Sequence, residues 1–321
     1  MWQPERVLEG PHPASVEDIP ALNRVFSDAF TDRYRRDGLV GVRVPQLNPA
    51  IWRYAIDDAG PGAMVWYDTA RELVAFNIAH CSGREGWMGP LAVRTDRQGE
   101  GIGRVIVQTA VDWLRERGAS TIGLETMPRT VENIGFYSRL GFVPGHLTVT
   151  MTREAGSPHA PDTSHLADGG AAERTRRITE CRAALHHVAP GYDFSRELEL
   201  TQTIRVGDTV IVEQAGEVRG FALYHAVPLA DIRSGDELRV LKLFADGTDA
   251  FESLLTGLES AAARHHLHRV AIRCQTGFQD AYRALIGRGY RVRWTDLRMT
   301  LVDYAEPAIG ASAVVFSNWE I

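Results

Sequence analysis

The feature that most constrains this chain is an internal repeat. When the sequence is compared with itself at a shift of 148 residues, Gly141-Phe142 falls on Gly289-Tyr290, and Ile122–Leu124 falls on Val270–Ile272. A register kept without gaps across a strand, a helix and a glycine-aromatic corner indicates a duplicated structural unit. The 321 residues are therefore expected to fold as two related halves, each long enough to bury its own core.

Composition predicts where the two halves are joined. Residues 154–172 are rich in Gly, Pro, Ala, Ser and Asp and show no apolar periodicity, which is typical of a linker. We therefore predict a first domain over residues 1–153 and a second domain over residues 173–303. The C-terminal tail, residues 304–321, contains an apolar stretch and is expected to pack against one of the domains.

Composition also excludes several classes of protein. With 44% hydrophobic and 24% charged residues the chain is typical of globular proteins. Cys81, Cys181 and Cys274 are far apart and form no CxxC motif, so we expect neither a disulfide framework nor a metal site. There is no signal peptide and no long apolar run, so we expect a cytoplasmic protein without a membrane partner. The net charge of −6 argues against a nucleic-acid partner.

The apolar pattern of the first half alternates between strands and helices. A helix is expected to begin near Ser15–Asp18, and a β-hairpin to cover residues 62–80. The remaining predicted elements of this half are a strand over Trp87–Val93, a helix that ends at Gly118, a strand over Thr121–Glu125, a helix over Val131–Leu140 and a strand over Leu147–Thr152.

The sequence Gln98-Gly99-Glu100-Gly101-Ile102-Gly103-Arg104 follows one of these strands and leads into a helix. Glycines at alternate positions let the backbone approach a bulky anion, and the start of a helix supplies unpaired N–H groups with a partial positive charge. The pattern predicts a pyrophosphate site, and a tight turn without a ligand is the alternative. The dinucleotide-binding fingerprint fails because it requires a glycine where Arg104 stands, and no P-loop lysine follows.

These residues resemble the GNAT superfamily of N-acetyltransferases. The resemblance lies in the glycine turn, in the strand ending Leu91-Ala92-Val93 before it and in Phe136–Phe142 after it. It implies an α/β (α+β) fold of two tandem GNAT-like domains, each a mixed, mostly antiparallel twisted sheet flanked by helices. It also implies acetyl-CoA as co-substrate, without a metal, and direct transfer of the acetyl group to an amine acceptor.

The resemblance implies roles for individual residues. Backbone groups of Leu91, Ala92 and Val93 would bind the pantetheine arm, and those from Gln98 to Arg104 would bind the pyrophosphate. Tyr137 would act as general acid on the departing thiolate, and packing on its helix is the alternative role. Relatives carry a pantetheine-contacting asparagine seven residues before that tyrosine. Here that position is Thr130, and Asn133 is the alternative candidate.

The general base has two candidates. Some relatives use a glutamate on the strand before the glycine turn, at the position of Trp87 here. Glu85 would lie on the same face of that strand, and Glu125 ends the next strand. Either side chain is also explained by an ion pair or by surface exposure, so the sequence leaves the base open.

The second copy lacks the candidate functional residues. At the shift of 148 residues, Gly101 corresponds to Asp249, Gly103 to Phe251 and Tyr137 to Leu285. A carboxylate would repel an anion, and a phenyl ring would block the close approach that glycine permits. We therefore predict a degenerate, silent second domain that serves as a wall of the acceptor site, as a partner-docking surface or as a structural cover. A non-catalytic acyl-CoA sensor is the alternative function.

Overall fold

A computed structural model describes residues 7–156, 163–230, 236–310 and 312–318. The predicted linker and the predicted tail lie partly outside the described residues, which exclude positions 157–162, 311 and 319–321. No helix in the described ranges is long and apolar enough to cross a membrane.

The first half follows the predicted order of helices and strands. Gly118, which has a positive φ of 73°, comes directly after the cap of the long helix, as its C′ position requires. The elements of this half are β1 (Glu9–Pro13), α1 (Ile19–Arg36), α2 (Pro49–Ala59), β2 (Ala63–Tyr67), β3 (Leu73–Ser82), β4 (Glu85–Val93), α3 (Ile102–Glu116), β5 (Thr121–Thr126), α4 (Val131–Arg139) and β6 (Phe142–Glu154).

The second half repeats this order. Its α8 begins 148 residues after α4, whereas its α5 begins 152 residues after α1, so the chain between the two is four residues shorter in the second half. The elements are β7 (Thr163–His165), α5 (Ala171–Val188), α6 (Ser195–Ile204), β8 (Gly207–Gln214), β9 (Glu217–His225), β10 (Glu237–Asp246), α7 (Thr248–Arg264), β11 (Arg269–Gln275), α8 (Gln279–Gly287), β12 (Arg291–Leu301) and β13 (Ala313–Ser317).

The two halves exchange strands within one continuous sheet. The strand order is β1-β2-β3-β4-β5-β12-β6-β11-β10-β9-β8-β7, so β12 of the second half lies beside β5 of the first, and β6 of the first lies beside β11 of the second. The exchanged strands also pair with each other, antiparallel, across an approximate two-fold axis. Residues 148 apart therefore meet near this axis, as Thr148 does with Asp296.

Each exchanged strand contributes side chains to the hydrophobic core of the other half. Val149 and Met151 of β6 pack into the core of the second half beneath α7. Met299 and Leu301 of β12 pack into the core of the first half beneath α3. Each half therefore completes its core with side chains of the other, which fixes the position of one half relative to the other.

Candidate functional site

Strands β4 and β5 diverge in the first half. They pair in parallel from Glu85 to Met88 of β4, and no pairing between them follows in the described part of the chain. The ladder between β3 and β4 is irregular at the same level, between Asn77 and Ala79. The edge of β4 from Leu91 to Val93 is consequently free of strand pairing toward β5, and such an edge accepts an extended ligand.

The glycine turn adjoins this open edge. Helix α3 begins at Ile102, so Gly103 and Arg104 lie in its first turn. Gly99 and Gly101 both have φ of +84°, in the left-handed region that favours glycine. A Cβ atom at either position would meet no atom within 4 Å. This open space beside the N-terminus of α3 fits a bound anion such as the pyrophosphate of acetyl-CoA.

A cavity of about 360 Å³ extends from the open edge of β4 toward the exchanged strands. It brings together seven of the predicted site residues, namely Leu91, Ala92, Val93, Gln98, Glu125, Asn133 and Tyr137. The remaining residues of the glycine turn lie outside the cavity lining, and Ile102 is buried in the core. Thr130 is also outside it, because its side chain is fully buried and donates a 2.6 Å hydrogen bond to Asp37.

Tyr137 lies on α4 between two aromatic rings. Its ring contacts Phe136 and Phe142 at centroid distances of 5.1 and 6.1 Å, so packing holds it in place. Its hydroxyl has no hydrogen-bond partner among the described residues. Burial raises the pKa of Tyr137, which keeps the phenol protonated and able to donate.

Glu125 lines the cavity but is neutralised by two arginines. It forms ion pairs with Arg273 and with Arg298, the latter at 2.7 Å, and it accepts a 2.5 Å hydrogen bond from Thr148. Burial alone would raise the pKa of Glu125, but the guanidinium groups of Arg273 and Arg298 outweigh it and lower the pKa. A carboxylate held in this way is a weak base.

Glu85 is buried behind the cavity wall. Trp87 Nε1 donates a 2.9 Å hydrogen bond to Glu85 Oε1, so both side chains lie on one face of β4, as predicted. Ser317 Oγ donates a 2.6 Å hydrogen bond to Glu85 Oε2. Trp87 and Ser317 line the cavity, whereas Glu85 itself does not. Burial raises the pKa of Glu85, which makes it the stronger base of the two candidates.

The second half supplies cavity residues that sequence reasoning missed, namely Arg273, Trp294, Asp296, Arg298 and Ser317. The strand exchange brings them to the site, and Arg298 lies directly opposite Glu125 in the β5–β12 ladder. A signal was present, since Glu125 and Arg273 occupy equivalent positions of the repeat and carry opposite charges. Identical residues would repel each other across the two-fold axis, whereas this pair forms a salt bridge.

The second half has a slot beside β10 that corresponds to the open edge of β4, and this slot is closed. Strand β13 pairs with β10 from Lys242 to Asp246, and so occupies the edge that β4 leaves open. Gly247 alone connects β10 to α7, whereas in the first half residues 94–101 connect β4 to α3. Phe251 of α7 is buried in the hydrophobic core of the second half. Within its described residues, the second half therefore has neither an open edge beside β10 nor a counterpart of the glycine turn.

Residues 24–142 match the acetyltransferase (GNAT) family. This match lies within the first half of the chain, which is called the GNAT half below. Solved structures extend the likeness in fold to both halves. A tandem GNAT protein from the clavulanic acid biosynthesis pathway has a TM-score of 0.60 at 13% identity, covering 94% of this chain and 100% of that one. A GCN5-related N-acetyltransferase from Sphaerobacter thermophilus has a TM-score of 0.55 at 14% identity, covering 94% and 96%.

The chain is also similar to curated N-acetyltransferases. Serotonin N-acetyltransferase 2 of Oryza sativa subsp. japonica is 30% identical over 125 residues, covering 39% of this chain and 56% of the relative. The ribosomal protein bS18-alanine N-acetyltransferase of Escherichia coli K12 is 32% identical over 71 residues, covering 22% and 48%. The chain thus spans about half the length of the curated relatives it matches.

Proposed function

We propose that the GNAT half transfers the acetyl group of acetyl-CoA to a small amine by direct attack. The observation that carries this proposal is the convergence of three features on one cavity: the open edge of β4, Gln98 at the start of the glycine turn, and Tyr137 of α4. In the described part of the second half, β13 pairs along the equivalent edge of β10.

In this proposal the donor lies along β4. Backbone groups of Leu91–Val93 bind the pantetheine arm as a further strand would, and Asn133 on α4 contacts it from the opposite wall. N–H groups from Gln98 to Arg104 bind the pyrophosphate at the N-terminus of α3. The acetyl thioester supplies the electrophilic carbonyl that the amine attacks.

Two side chains manage the protons of the reaction. Tyr137 donates a proton to the departing thiolate, since burial keeps its hydroxyl protonated and packing fixes the ring. We assign the base role to Glu85, because its raised pKa gives it greater affinity for a proton than the salt-bridged Glu125 has. Glu125 instead holds Arg273 and Arg298 in the cavity wall.

The acceptor end of the cavity favours a cation. Tyr34 of α1 and Trp294 of β12 form an aromatic wall, with ring centroids 6.3 Å apart. The connected ion pairs beside it contain three carboxylates, on Glu125, Asp296 and Glu306, and two guanidiniums, on Arg273 and Arg298. Counted over the described residues, these ion pairs contain one carboxylate more than guanidiniums. We propose a small primary amine that is cationic in solution as the acceptor class.

A panel of primary amines tests the function. Purified protein is incubated with acetyl-CoA and each amine, and free thiol is measured together with the acetylated product by mass spectrometry. We expect thiol release that depends on the amine. Acetyl-CoA binding without thiol release for any amine would instead support the acyl-CoA sensor.

A further inference from the structure

Ser317 lies between the cavity and the buried carboxyl of Glu85. The residue lines the cavity although it is only 4% exposed. Its Oγ donates a hydrogen bond of 2.6 Å to Glu85 Oε2. Because Glu85 itself does not line the cavity, a proton leaving an amine there needs a carrier to reach this carboxyl.

Strand β13 places Ser317 at this point. In the antiparallel ladder with β10, Ser317 lies opposite Lys242. The slot that holds β13 is the second-half equivalent of the open edge of β4. The degenerate half thus uses its closed slot to bring a hydroxyl group to the site of the other half.

Lys242 sets the direction of the hydrogen bonds. Its ammonium, on a side chain 1% exposed, donates a 2.9 Å hydrogen bond to Ser317 Oγ and lies 3.8 Å from Glu197. An ammonium group only donates, so Ser317 must accept from it, and the hydroxyl proton is left to point at Glu85. A hydroxyl oxygen has a second lone pair, for which the described residues provide no partner. This lone pair is available to a donor in the cavity.

We propose that Ser317 relays the proton of the acceptor amine to Glu85, a role that rests on the proposed acetyl transfer. One N–H bond of the bound ammonium breaks, its proton bonds to Ser317 Oγ directly or through one water, and the bonding pair stays on nitrogen as the lone pair that attacks the thioester. The original hydroxyl proton of Ser317 moves to Glu85 Oε2 in the same step. Ser317 is unchanged, Glu85 becomes neutral, and the nitrogen lone pair forms the new C–N bond. The C–S bond breaks with its electrons on sulfur, Tyr137 protonates this thiolate, and the second proton of the nitrogen restores Tyr137.

The charged groups around Glu85 suit its role as the group that receives the proton. Burial raises its pKa, whereas Lys242 on β10 and Arg298 on β12 favour the carboxylate. Tyr192, between α5 and α6, and Glu197 on α6 also face this region, and their pKa values are raised, for Glu197 to about 8. Glu85 is thus a carboxylate that gains a proton more readily than an exposed one.

The test compares Ser317→Ala with Ser82→Ala. Ser82 is a matched control, because it is buried and donates its hydroxyl proton to Glu197 in the same polar cluster but does not line the cavity. With an amine that the wild type acetylates, we expect Ser317→Ala to lower kcat/KM at pH 7 at least tenfold, whereas Ser82→Ala stays within twofold of the wild type. Both variants should bind acetyl-CoA with unchanged Kd.

The pH profile separates a relay from a structural role. The deficit of Ser317→Ala should shrink as the pH rises toward the pKa of the amine, because the amine then arrives neutral and needs no base. Ser317→Thr keeps a hydroxyl and should show the wild-type profile, even where its rate is lower. A deficit equal at every pH, an alanine variant within twofold of the wild type, or a threonine variant with the alanine profile would overturn the relay. A wild type that releases no thiol with any amine would instead refute the proposed function, and the relay with it.

Discussion

Gly101→Asp tests the glycine turn as an anion site. Gly101 is the N-cap of α3 with φ of +84° and ψ of −3°. A non-glycine residue in this left-handed conformation costs about 1–2 kcal/mol, but an aspartate at an N-cap returns about 1 kcal/mol, so the fold should persist. Its Cβ would point into open space, where we place the pyrophosphate.

The size of the expected loss of affinity for acetyl-CoA follows from Coulomb's law. Two like charges about 4 Å apart repel by about 1 kcal/mol in water and by about 4 kcal/mol at an effective dielectric constant of about 20. The Kd for acetyl-CoA should therefore rise between about 5-fold and about 800-fold. Added salt should reduce the loss, because mobile ions screen the repulsion.

Isothermal titration of acetyl-CoA into the wild type, Gly101→Asp and Gly101→Asn measures this effect. Asparagine has nearly the same shape as aspartate, tolerates the left-handed conformation and caps helices equally well, but it is neutral. We expect the asparagine variant to bind with a Kd close to that of the wild type. If the aspartate and asparagine variants bind equally, no anion lies at this turn and the reasoning is refuted.

Three further predictions concern the acid, the exchanged strands and the tail. Tyr137→Phe should bind acetyl-CoA normally but lower kcat at least tenfold in steady-state assays, and full turnover would remove Tyr137 as the acid. Glu125→Gln should lower the free energy of unfolding in urea at pH 7 by about 1–3 kcal/mol, because Arg273 and Arg298 lose one buried carboxylate while Asp296 and Glu306 still pair with them. The lowered pKa of Glu125 means that this contribution exists above about pH 4.5 and is lost as the pH falls through that lowered pKa, so the two proteins should converge on acidification, and a constant difference would contradict it. Phe316→Ala should cost about 3–5 kcal/mol in the same assay, since the ring is fully buried against Phe251 and Phe278, and a loss below about 1 kcal/mol would contradict this packing.

The strand exchange gives the degenerate half a definite place in the molecule. Its β12 forms one side of the cavity, and the salt bridges of Arg298 and Arg273 to Glu125 hold the halves together at that point. Its β13 brings Ser317 to the same cavity. We therefore propose that the second half serves as a wall of the acceptor site, the first of the roles that the sequence leaves open.

Local patterns in the sequence determined the elements and the donor side of the site. Apolar periodicity, the glycine turn and the repeat register depend on neighbours along the chain, so they predicted α3, α4 and the course of β4 correctly, and α7 and β11 in the second half. Leu91–Val93 and Tyr137 could be named because they lie within one continuous unit. These features needed no knowledge of how the halves meet.

Only the tertiary structure decided the acceptor side. Strand pairing between distant segments has no local signature, so nothing in the sequence shows that β12 inserts beside β5 or that β13 closes the slot beside β10. In the repeat, Arg273 occupies the position that corresponds to Glu125. The fold brings these two residues into a salt bridge, because the strand exchange places equivalent positions opposite each other across the two-fold axis. A sequence determines what each segment can form, but the burial of two incomplete cores against each other determines which segments share a site.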